Sequence, residues 1–68
     1  MEEEVMNLQI RKFLKKVGIN AQREIEKAIR DGLDNGTLKG NETLSAAMTL
    51  TVPELSVALK IDGDIALT

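Results

Sequence analysis

Between residues 44 and 61 large apolar side chains recur at every second position on either side of one break, and that alternation leaves the chain few ways to fold. Leu44, Ala46, Met48, Leu50 and Val52 share one parity, against Ser45, Ala47, Thr49 and Thr51 on the other. Beyond Pro53 and Glu54, Leu55, Val57, Leu59 and Ile61 repeat the pattern against Ser56, Ala58 and Lys60. A period of two marks strands with one dry face. Pro53 presets φ for the first central position of a type I turn and cannot donate to a central ladder. An even-numbered loop centred on Pro53-Glu54 pairs Val52 with Leu55, Leu50 with Val57, Met48 with Leu59 and Ala46 with Ile61. All four pairs are apolar and share a face. A slip of one residue would send every one of them to solvent.

Size limits what can cover that face. A chain of 68 residues makes one small domain, and such a domain buries only about 60% of its unfolded surface. It has no cysteine and no histidine, and Phe13 is its one aromatic residue. Neither a disulfide nor an ordinary zinc site can staple it, so the core is aliphatic. Self-association is one route to the missing stability, and a stable monomer with an aliphatic core is the other. No apolar run approaches the roughly 18 residues of a membrane helix. The opening Glu2, Glu3 and Glu4 are not a secretory leader. A cytoplasmic protein with no membrane partner is expected.

Upstream of the strands the period lengthens. Over about residues 2–17, Met6, Ile10, Phe13, Leu14 and Val17 form one helical stripe, with acids in the first turn and lysines in the last. Gly18 stands where a left-handed cap would close that helix, and Asn20 reads as the N-cap of a second, over about residues 20–34. Ala21, Ile25, Ala28, Ile29 and Gly32 make its inner face, where Gly32 implies close approach to the sheet or the first helix. Opposite-charge pairs stand at Glu26–Arg30 and Lys27–Asp31, and Asn35-Gly36 ends the helix. The short Gly18-Ile19 joint folds the two into a hairpin. Leu38 is expected to tuck inward from an irregular crossing segment.

The last turn is contested. Asp62-Gly63 signals a two-residue turn that would expose Ile65 and Leu67. A three-residue loop, Asp62 to Asp64, pairs Ile61 with Ile65 and keeps both inside. Patterning favours the longer loop. The expected fold is α+β, order ααβββ: a two-helix hairpin packed on one face of a three-stranded antiparallel meander with strands at about 44–52, 55–61 and 65–67.

The segments IRKFLKKVGINAQREIEKAIRDGL, LKGNETLSAAMTL and IDGDIAL, in that order, resemble a small family of uncharacterised bacterial proteins of about this length. The resemblance covers nearly the whole chain. It implies a cytoplasmic single-domain protein and brings no activity, cofactor or site residue with it.

The composition argues against catalysis. Without His, Cys, Tyr or Trp, what remains is carboxylates, lysines, arginines and hydroxyls. Ser45 and Ser56 have no base beside them. Asp62 and Asp64 read as turn chemistry. Asp34 to Glu42 misses the spacing of a calcium loop, and there is no glycine-rich phosphate loop. No enzyme activity, cofactor or metal is expected.

Two binding surfaces are. From Gln9 to Arg30 seven bases stand against two acids, a balance of +5, while the remainder balances at −7. Arg11, Lys12, Lys15, Lys16, Arg23, Lys27 and Arg30, with Gln22 able to reach a base edge, outline the basic side of a helix-turn-helix followed by a β-ribbon. That is the nucleic-acid alternative. The outer sheet face, with Ala47, Thr49, Thr51, Ser56 and Ala58 and Lys60 as its one guarding charge, suits a protein partner or a second copy. A non-enzymatic interaction or regulatory module is the function these residues fit best.

Overall fold

The computed structural model describes all residues, Met1 to Thr68, and has one helix followed by two strands. Helix α1 spans Glu3–Asp34, strand β1 Thr43–Val52 and strand β2 Val57–Ala66. A short 3-10 turn, Pro53–Leu55, joins the strands. The order is αββ, not ααβββ: there is neither a helical hairpin nor a third strand. The chain divides into two compact units, Met1–Thr37 and Leu38–Thr68.

In the first unit the helix runs straight through the expected joint. Gly18 keeps helical φ, and the Asn20 amide nitrogen donates back to the Lys16 carbonyl at 2.7 Å. Asn20 is thus a residue inside a helix and caps nothing. The reason lies in the phase of the apolar positions. Met6, Ile10, Leu14, Val17, Ala21, Ile25, Ala28 and Gly32 follow one another at steps of four or three. They fall within about 100° of the helix circumference, in an eleven-residue rhythm that keeps a stripe in register on a nearly straight helix. A break at Gly18 would leave four N–H and four C=O groups without partners. Keeping the glycine costs only about 1 kcal/mol. Continuity wins.

The helix ends where the sequence says. Asn35 N–H donates to the Asp31 carbonyl at 3.0 Å, and Gly36 takes φ of 83°, a conformation that favours glycine. The Asn35 side chain then accepts from the Thr37 N–H at 2.9 Å and its hydroxyl at 2.6 Å, closing the turn. At the other end no side chain caps the helix, and Glu3 and Glu4 lie in its first turn. Gly32 is its one buried residue.

In the second unit β1 and β2 form a two-stranded antiparallel ribbon. Val52 pairs with Val57, Leu50 with Leu59, Met48 with Ile61, Ala46 with Gly63 and Leu44 with Ile65. The expected face is kept, but every partner on β2 lies two residues later. The connection holds four residues, Pro53 to Ser56, because a right-handed turn started by proline needs a left-handed residue before the strands can resume. Ser56 supplies it, at φ 54°, and donates its N–H to the Pro53 carbonyl at 3.1 Å.

Asp62-Gly63 makes no turn of either length. Continuing β2 straight through it adds five pairs, from Ala47–Asp62 to Thr43–Ala66. Ile65 stays on the apolar face, since it has the parity of Val57 and Ile61. A further bond, Leu67 N–H to the Glu42 carbonyl at 3.0 Å, extends the ladder. A three-residue third strand would have forfeited those bonds to β1. Leu38 is half-buried in its connecting segment.

Neither unit buries a hydrophobic side chain. A lone helix and a two-stranded ribbon each have an apolar surface and nothing of their own to lay against it. The expected aliphatic core is not formed within either.

Candidate functional site

Two surfaces of α1 carry the chemistry. Arg11, Lys12, Lys15, Lys16, Gln22, Arg23, Lys27 and Arg30 all lie on this one helix, and all are exposed. Without a joint at Gly18 there is no helix-turn-helix and no separate recognition helix. The continuous helix instead aligns Lys12, Lys16, Arg23, Lys27 and Arg30 within about 60° of circumference, a ridge about 27 Å long.

Part of that ridge is engaged within the helix. Lys27 meets Asp31 at 3.2 Å and Arg30 meets Glu26 at 3.4 Å, the two pairs expected from spacing. Both are exposed, and each contributes a few tenths of a kcal/mol. Gln22, the candidate base reader, donates instead to the Glu26 carboxylate at 2.8 Å. Arg11, Lys12, Lys15, Lys16 and Arg23 form no ion pair. Four of these five free cations, all but Arg23, therefore cluster in the N-terminal half.

The other surface is the apolar stripe, and sequence reasoning had assigned it to the core. Ile10, Phe13 and Leu14 are 48%, 52% and 54% exposed, and every residue from Met1 to Lys16 is exposed. Further along, Val17, Ala21 and Ile29 are half-buried. Val5 and Leu8 lie off the stripe, and both are exposed too.

On the ribbon, Ala47, Thr49, Thr51 and Ala58 do share the outer face, with Thr51 opposite Ala58 and Thr49 opposite Lys60. Ser56 does not join them, being the left-handed residue of the turn. Because β2 runs on, Asp62 and Asp64 stand on that face as well, and Lys60 meets Asp62 at 3.6 Å. Three charges guard it rather than one, so it is suited to water. The opposite face keeps its apolar pairs, with Leu59 and Ile61 about half exposed.

The one perturbed acid lies in the second unit, just ahead of β1. The Glu42 carboxylate accepts the backbone N–H groups of Lys39, at 2.9 Å, and Gly40, at 2.9 Å, across a turn in which Gly40 takes φ of 104°. Those bonds to its charged form hold the Glu42 carboxyl below the usual glutamate range. The carboxylate ties down its own loop and leaves these donors no room for an outside anion.

No cluster of three or more acidic, histidine or cysteine side chains is placed to hold a metal ion, and no helix is long and apolar enough to cross a membrane. Against known proteins, a model of a family of unknown function matches residues 1–68, in keeping with the resemblance noted above. No curated protein and no solved structure matches.

Proposed function

This chain belongs to a family of unknown function, DUF6494, and on that premise we propose a non-enzymatic role: it is an interaction module that binds protein through the apolar stripe of α1. One observation carries the proposal. Hydrophobic residues are 43% of the chain, yet none is buried in either unit. Uncovered apolar surface of this extent is the mark of a binding face. The lack of His, Cys, Tyr and Trp is in keeping with a role without chemistry, and a cytoplasmic setting is part of the proposal.

The test is a photo-crosslinking residue introduced singly at Phe13 or at Lys16 in the native cell. Adducts with protein from Phe13, and few from Lys16, are expected. Equal yields from both positions, or none from either, would overturn the reading.

A second reading has one observation in its favour, the basic ridge that the continuous helix aligns. A single-stranded or duplex nucleic acid bound along it would lose affinity steeply with salt. Gel retardation with the full chain decides: no shift at low salt removes this alternative, and a shift abolished by Lys12→Glu with Lys16→Glu would establish it.

A further inference from the structure

We infer that the N-terminal half of the apolar stripe is covered by the same stripe of a second copy of this chain, the two helices running antiparallel and crossing at Ile10. This rests on the interaction role proposed above and names its partner.

The free part of the stripe is short, and its central row is symmetric. Met6 and Leu14 stand four residues to either side of Ile10, about 6 Å along the axis in each direction. All three are exposed, and no residue before Val17 is even half covered. A two-fold axis through Ile10 therefore sets Met6 of one copy against Leu14 of the other, and the reverse, with the two Ile10 side chains meeting at the centre. Such a contact is self-complementary and closes on itself.

Charge chooses the direction. The same axis brings Glu4 of the acidic first turn nearly level with Lys15 of the second copy, twice over, while Lys16 stays on the basic ridge away from the contact. A parallel pair would instead lay Glu3 and Glu4 beside their own copies, and the four cations Arg11, Lys12, Lys15 and Lys16 beside theirs. Like charges side by side disfavour that arrangement. Lys15 has no acid partner within its own chain, so the second copy supplies one.

The chain has no cysteine, so single cysteines introduced on the stripe report which positions meet. Under mild oxidation of the full chain, Ile10→Cys should form a covalent dimer, whereas Met6→Cys alone should not. A mixture of Met6→Cys and Leu14→Cys chains carrying different tags should form the mixed dimer. Sedimentation of the wild type should show a dimer that Ile10→Lys weakens by at least ~100-fold, as expected when a central apolar contact is replaced by two facing charges. Self-crosslinking of Met6→Cys as efficient as that of Ile10→Cys would overturn the antiparallel pairing. A wild type that stays monomeric at high concentration would overturn the second copy altogether. In that case adducts from Phe13 to a different protein would leave the interaction role standing, and their absence would end both.

Discussion

If α1 is one helix, replacing Gly18 by alanine must stabilise the protein; if a joint lies there, it must do the reverse. Gly18 has helical φ, and a Cβ built on it meets nothing within 4 Å. Alanine therefore removes the conformational freedom of glycine at no steric cost, a gain of about 1 kcal/mol per chain. For a protein of this size that raises Tm by about 4–8 °C. A left-handed glycine closing a first helix would give the opposite sign, a loss of about 1 kcal/mol or more on placing a Cβ there. Asn20→Ala sharpens the contrast. Within a helix, alanine regains about 0.5 kcal/mol of propensity and gives up one exposed hydrogen bond to the Lys16 carbonyl, for a net change near zero. Removing an N-cap would cost about 1 kcal/mol. The assay is thermal unfolding followed by far-ultraviolet circular dichroism, at equal protein concentration so that self-association does not confound the comparison. A fall in Tm for Gly18→Ala would refute the continuous helix, and with it the alignment of both surfaces of α1.

Other features make predictions of their own. Ser56→Gly should raise stability by about 0.5–1 kcal/mol in denaturant unfolding, because glycine takes the left-handed φ of 54° without the penalty of a side chain. Gly63→Val should add about 1 kcal/mol by the same assay: the residue sits inside β2 without positive φ, in open space, and a branched side chain suits a strand. Glu42→Gln should destabilise the protein at neutral pH. The folded carboxyl is held below its unfolded value of about 4.3, so its contribution is full above that value and fades as pH falls through the lower folded one. The gap between wild type and variant should therefore close in acid, as melts across a pH series would show.

The sequence made the ribbon's apolar face legible because parity survives errors of register. Shifting the partners by two residues moved Leu50 from Val57 to Leu59 without turning any side chain over. The Asn35-Gly36 stop and the i,i+4 pairs were legible because each is decided within one turn of helix. What misled were two-residue signals, Gly18 with Asn20 and Asp62 with Gly63. Each expresses a preference of about 1 kcal/mol, and each was outweighed by backbone hydrogen bonds on both sides that favour carrying the element on. That the basic residues would lie exposed on helix was legible, but the use of Gln22 by Glu26 was not. The apolar stripe was found and its exposure was not, because periodicity gives the direction of a side chain and says nothing of what covers it.

On the ribbon's greasy side Ala46 faces Gly63, with Met48 and Ile61 just beyond on one flank and Leu44 and Ile65 on the other. The tier between these bulky pairs holds only the Ala46 methyl, so the row of large apolar side chains is interrupted there. A flat apolar visitor would forgo contacts at that tier. A glycine that weakens its strand is thus also what breaks the evenness of the ribbon's apolar face.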